Sequence, residues 1–261
     1  MSHAISSLEP TGSCSPRGVD IIQADKTCLL SVIDTTCSLT VPAETLVEPI
    51  IHGFELMNLP TLSFLITYST SRRQLLFDLG CCKAFWDLQQ PIINVIDTQV
   101  PRIRVEHDLA DVLIRGGVDI ARLEAAIISH HHYDHTGDAA TFPDSMDLLV
   151  GPEFISYFLP GYPTNEGSPV FEDAIKGRCI REIVFSADLL VAGFEASDYF
   201  EDGSLYVLDT PGHAVGHISA LVRTTTDSYV LLGGDICHFG GINLPNKYVP
   251  LPDEFTEQQL G

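Results

Sequence analysis

Ser129-His130-His131-His132-Tyr133-Asp134-His135-Thr136-Gly137-Asp138 decides the reading of this chain. Three of its four histidines and an aspartate fall at the spacing His-x-His-x-Asp-His. The preceding residues, Leu123-Glu124-Ala125-Ala126-Ile127-Ile128, end in an apolar run that reads as a buried strand. Such a strand, stopping at Ser129, releases the histidines into a loop at a sheet edge. In extended chain alternate side chains share a face, so His130 and His132 point one way and His131 the other. Two imidazoles on one side can hold a single divalent ion, and Asp134 and His135, after the turn, can hold a second beside it. Imidazole nitrogen with carboxylate oxygen suits zinc best and also accepts iron or manganese. Packing does not explain such a cluster, because burying imidazoles and carboxylates without an ion costs desolvation with nothing to offset it.

Outward from this stretch, three more segments carry the same theme. Leu76-Phe77-Asp78-Leu79-Gly80 reads as a strand ending in Asp-x-Gly. Thr210-Pro211-Gly212-His213-Ala214-Val215-Gly216-His217 is a glycine- and histidine-bearing turn between two apolar runs. Leu231-Leu232-Gly233-Gly234-Asp235 reads as a strand ending in an aspartate. Together with His-x-His-x-Asp-His, and in this order, these segments resemble the signature of the metallo-β-lactamase superfamily from about Thr61 to Cys237. The resemblance implies an α/β fold, an αββα sandwich. It assigns His130, His132 and His213 to one metal ion, Asp134 and His135 to a second, and Asp235 as the bridge between them. Two zinc ions are its expected cofactors, and Asp78 braces the metal loop from below. The implied chemistry is attack of a hydroxide shared by the ions on an electrophilic carbonyl, with Asp134 orienting it.

Other histidines are read more plainly. His131 faces away, towards the surroundings of the site or the surface. His217, four residues after His213, fits a hydrogen-bonding support better than a ligand. His238 has three readings: an acid towards the substrate, in the place where lactonases of this family carry a tyrosine, a ligand approaching the second ion, or a loop cap. The family also supplies a later histidine to the second ion. No histidine follows His238 here, so the expectation is a sandwich lacking its last strand and helix, with an impaired second site.

Composition bounds the rest. The chain has 261 residues with 45% hydrophobic and 19% charged, which describes a globular protein. Residues 1–18 read as a flexible arm and 19–261 as one domain. A net charge of -21, from 14 Lys+Arg against 35 Asp+Glu, argues against a nucleic-acid partner. No apolar run approaches a membrane span. Seven cysteines without a Cys-x-x-Cys pair, and an N-terminus without an apolar signal region, point to reduced thiols in the cytoplasm. The Pro/Gly-bearing residues 152–177 read as a candidate lid, and Val41 to Met57 as a covering loop.

The expected function is therefore a metal-dependent hydrolase opening the lactone or lactam ring of a small molecule. It is similar to the lactonase-like branch and to fungal members that act on xenobiotics and secondary metabolites. A thioesterase of the same fold, acting on an acyl-carrier or glutathione thioester, is the alternative within the fold. A truncated, non-catalytic remnant is the alternative outside it.

Overall fold

A computed structural model describes residues 24–48 and 51–240. The expected N-terminal arm and everything after residue 240, including the expected missing closing elements, lie outside the described residues.

Among the described residues twelve strands form two sheets. The first sheet uses β1 (Cys28–Pro42), β2 (Leu56–Tyr68), β3 (Gln74–Phe77), β4 (Arg102–Val105), β5 (Leu123–Ile127), β6 (Asp147–Val150) and β7 (Ile180–Glu182), in the order β4-β1-β2-β3-β5-β6-β7. The second uses β8 (Ser186–Val191), β9 (Phe194–Asp198), β10 (Leu205–Asp209), β11 (Ile218–Thr225) and β12 (Ser228–Leu232), in the order β12-β11-β10-β9-β8. Helices α1 (Gln90–Gln99), α2 (Leu109–Arg115), α3 (Tyr133–Thr136), α4 (Phe154–Phe158) and α5 (Glu172–Ile175) are short and come between strands of the first sheet. None of the described helices is long and apolar enough to cross a membrane.

The two sheets pack face to face because their strands alternate. Leu75, Phe77, Ala125, Ile127 and Leu149 from the first meet Leu205, Val207, Ile218, Ala220 and Leu232 from the second in one core. The opposite face of the first sheet, through Leu76, Ala126, Leu148 and Val150, packs on α2 and α4 through Leu113, Phe154 and Phe158.

Topology gathers chemistry at one edge. β3, β5 and β6 are parallel neighbours, so their C-terminal ends share an edge, where open α/β sheets place ligands. That edge receives Asp78, Ser129–His135 and Gly151. In the antiparallel second sheet β10 and β12 both pair with β11 and run the same way, so Thr210 and Gly233 also leave at a common edge. The Ile218 amide donates to Ser129 O at 2.9 Å and joins the two edges.

Three segments differ from their sequence-based expectation. Residues 41–57 are not simply a covering loop: β1 runs on to Pro42 and β2 already begins at Leu56. Prolines are tolerated there because Pro42 ends its strand and Pro60 pairs with Ser38 where the register shifts. Ile183-Val184-Phe185, an apolar run that reads as a strand in the sequence, is instead the link between the sheets. Its apolar alternation arises because Ile183 and Phe185 pack on the core while Val184 stands 83% exposed. Residues 152–177 form no lid, since Phe154, Phe158, Ser168 and Val170 are buried and tie the segment into the core.

Candidate metal centre

The metal loop follows β5 directly. Asp78, in the left-handed region at φ 58°, turns its buried carboxylate under that loop. Its Oδ1 accepts the Ser129 amide at 2.7 Å, and its Oδ2 accepts the Ser129 hydroxyl at 2.9 Å. Oδ2 also lies 2.8 Å from His135 Nδ1. Ser129 Oγ in turn stands 3.0 Å from His130 Nδ1. Sequence reasoning found Asp78 but not Ser129, which no sequence signal marks beyond its place before the motif.

Above this brace, His130, His132, His213 and Asp235 converge. One ligand-type atom from each lies within 4.8 Å of all the others. His213 Nε2 is 3.1 Å from His132 Nδ1 and 3.5 Å from Asp235 Oδ2. His130 is fully buried, with Nε2 3.9 Å from Asp235 Oδ2.

Asp134 and His135 are not members of that set of four. They adjoin it through His135 Nε2, which lies 3.0 Å from Asp235 Oδ1 and 3.8 Å from Asp134 Oδ2. His238 Nε2 stands 3.0 Å from Asp235 Oδ2, with its ring centroid 5.2 Å from that of His213. His131 leaves the cluster and stacks on Phe158, at a centroid distance of 4.3 Å and an interplanar angle of 28°.

Electrostatics separate these groups. Burial, then the neighbouring His135 and His132, push the His130 imidazolium far below its ordinary range. Burial also lowers His132 and His213 to about 4 each. These rings are neutral near pH 7, the form that binds metal. Burial raises Asp134, partly offset by His135. For His135 burial opposes the charge, but Asp78, Asp134 and Asp235 together raise it well above the usual value. For Asp235 burial is likewise outweighed, by hydrogen bonds from His135 and His238, and the carboxylate stays ionised.

The donor set fits a divalent cation. His130 Nε2 is buried with no hydrogen-bond partner, although buried polar atoms are nearly always paired. It faces two more imidazoles and a carboxylate, and three nitrogens with one oxygen match zinc.

Two clefts open beside the cluster, and Asp235 and His238 line both. The larger, about 770 Å³, spreads over the outer face of the second sheet across Phe194, Leu208, Leu221 and Leu231. The smaller, about 350 Å³, is lined by Asp78, Asp134 and His135 and walled by Leu62 and Phe64. Trp86 lines neither and is 61% exposed, edge-on to Phe85 at 5.2 Å.

Two distant supports escaped sequence reasoning. Arg178, its side chain 1% exposed, donates to Ala139 O at 2.8 Å and Met146 O at 3.1 Å and holds the chain that follows the motif. Gly151 packs so closely on the His213 turn that a Cβ there would lie 2.0 Å from Gly216 O.

Residues 56–224 match the family model described as the metallo-beta-lactamase superfamily. A gamma-lactamase of Fusarium pseudograminearum is 42% identical over 254 residues, covering 94% of this chain and 62% of that protein. This chain therefore spans less than two thirds of that relative's length. A gamma-lactamase of Gibberella moniliformis is 44% identical over 191 residues, covering 72% of this chain and 80% of the relative. Among solved structures, an N-acyl homoserine lactone hydrolase with the product N-hexanoyl-L-homoserine at its catalytic metal centre superposes with a TM-score of 0.58. It shares 19% identity and covers 84% of this chain and 79% of its own. With the family model matched over residues 56–224 and a relative 44% identical over 191 residues, the chain belongs to the metallo-beta-lactamase superfamily.

Proposed function

We propose that this chain is a metal-dependent hydrolase that opens the lactone or lactam ring of a small molecule. The observation that carries the reading is the convergence of His130, His132, His213 and Asp235 around the unpartnered His130 Nε2. The gamma-lactamase names of the two relatives support the choice of ring substrate. In this reading the four residues hold one zinc ion, and Asp134 and His135 share a second with Asp235. A bound ion of this kind lowers the pKa of a water towards neutrality and polarises a carbonyl oxygen.

The protein's own groups do the rest. The smaller cleft receives the ring, because Asp134, His135, Asp235 and His238 all face it. Leu62 and Phe64 exclude water from one side. Asp134, which lines that cleft, also orients the attacking water. In this reading His238, whose Nε2 lies 3.0 Å from Asp235 Oδ2, protonates the departing ring oxygen or nitrogen. The acidic surface fits a small-molecule partner rather than nucleic acid, and the cysteine pattern fits the cytoplasm.

The test is zinc stoichiometry on the purified chain, followed by a panel of lactones, lactams and thioesters. Zinc binding with turnover of a lactone or lactam is the expected result. Turnover of thioesters alone would replace the reading with a thioesterase, and a chain that binds no zinc would refute it.

A further inference from the structure

We propose that His217 is a positioning residue that sets the Asp235 carboxylate at the cluster, acting through its Nε2 on the Asp235 backbone. The proposal rests on the reading that the cluster holds a metal ion. His217 is fully buried and belongs to none of the ligand positions. Its Nδ1 lies 2.9 Å from Thr210 O, a pure acceptor, so Nδ1 carries the proton. Nε2 is then left with a lone pair, and it accepts the Asp235 amide at 3.0 Å.

The two bonds join two pieces of the site. Thr210 is the root of the turn that presents His213, and that turn is closed by the Thr210 amide on His217 O at 3.3 Å. Thr210 Oγ1 also meets Ser219 Oγ at 2.9 Å, and Ser219 Oγ donates to Gly233 O at 3.0 Å. The Gly233–Asp235 turn is therefore tied to Thr210 twice, once through Ser219 and once through the imidazole. Gly234 shows how closely the turn sits on that ring. Its φ is 56°, and a Cβ there would fall 2.8 Å from both His217 Nε2 and Ser129 Cβ. Fixing that amide holds the Asp235 backbone where its carboxylate reaches His130, His135 and His213. The imidazole spans a gap that a shorter side chain with one polar end does not.

Two conservative variants separate its two bonds. In His217→Gln the Oε1 takes the place of Nε2 and can accept the Asp235 amide. In His217→Asn the Nδ2 takes the place of Nδ1 and keeps only the Thr210 bond. Zn2+ alone is titrated into the full chain against a chromogenic chelator, and urea unfolding of the metal-free proteins is run in parallel. The expected result is affinity near wild type for His217→Gln and a loss of about 10–100-fold for His217→Asn. Wild-type affinity in His217→Asn, or equal loss in both, overturns the proposal. Should either variant fail to fold, imidazole nitrogen NMR of the wild-type chain decides. An unprotonated Nε2 coupled to the Asp235 amide supports the assignment, and a protonated Nε2 overturns it. A wild type that binds no zinc yet shows this coupling locates the failure in the metal reading, and the proposal falls with it.

Discussion

Replacing Asp78 should separate folding from metal binding. Its carboxylate takes three hydrogen bonds, two from Ser129 and one from His135. In Asp78→Ala the fully buried Ser129 amide loses its acceptor, at about 1–3 kcal/mol. His135 loses a charged partner, at about 1.5–3 kcal/mol. Alanine at φ 58° adds about 1 kcal/mol, because only glycine and the short polar Asn and Asp visit that region readily. The total of about 3.5–7 kcal/mol is a large share of a typical stability of ~5–15 kcal/mol. Asp78→Asn should behave differently. It tolerates the backbone and still accepts the Ser129 amide, so about 1.5–3 kcal/mol is lost. Its new N–H group faces His135 Nδ1, however, and forces the ring proton onto Nε2, the nitrogen that points at Asp235 Oδ1. Urea unfolding of the metal-free proteins, beside a zinc titration, should show Asp78→Asn folded but weakened in its second ion. Unfolding free energies within about 0.5 kcal/mol of wild type for both variants would refute the brace.

Three further outcomes follow from the same geometry. Gly151→Ala drives a methyl group into Gly216 O and should cost at least ~1–3 kcal/mol while displacing His213; unchanged thermal unfolding and zinc affinity would contradict this. Arg178→Met removes the donor to Met146 O and one of two donors to Ala139 O, which keeps the Phe142 amide, and should cost about 1–3 kcal/mol by denaturant unfolding, with an effect below surface-mutation scale counting against it. Glu124 has a lowered pKa, chiefly because Arg73 donates to it at 2.6 Å, with Tyr199 OH at 2.9 Å assisting. Its contribution is therefore present above the unfolded value of about 4.3 and lost as pH falls through the folded pKa. Both partners are partly exposed, so Glu124→Gln should flatten stability between about pH 5 and 3 by no more than ~1 kcal/mol. An unchanged pH profile would remove the pair from consideration.

Much of the site was legible because its parts are contiguous or end apolar strands. Leu123–Ile127 and Gln74–Phe77 declare themselves by hydrophobicity, and the residues that follow them build the cluster and its brace. Asp108 and the Gly116-Gly117 pair bracket α2 as helix signals should. What could not be read has a common physical cause. β7, β8 and β9 are short and polar on one side, so their identity comes from pairing partners rather than local pattern. The role of residues 152–177 depended on whether Phe154 and Phe158 find a core, which composition does not say. Ser129, Gly151 and Arg178 act through contacts with residues from 32 to 65 positions away, and no local spacing encodes such contacts.

The backbone path between the facing imidazoles has its own consequence. His132 and His213 are 81 residues apart in sequence, one beside each sheet, with their nitrogens 3.1 Å apart. An ion gripping both closes a loop of that size across the whole molecule. By chain-entropy reasoning, a covalent tie over such a loop removes about 4–5 kcal/mol of freedom from the unfolded chain. All six described cysteines are free thiols. A metal ion at the reactive edge would thus act as a reversible cross-link for the fold, doing by coordination what a disulfide does by oxidation.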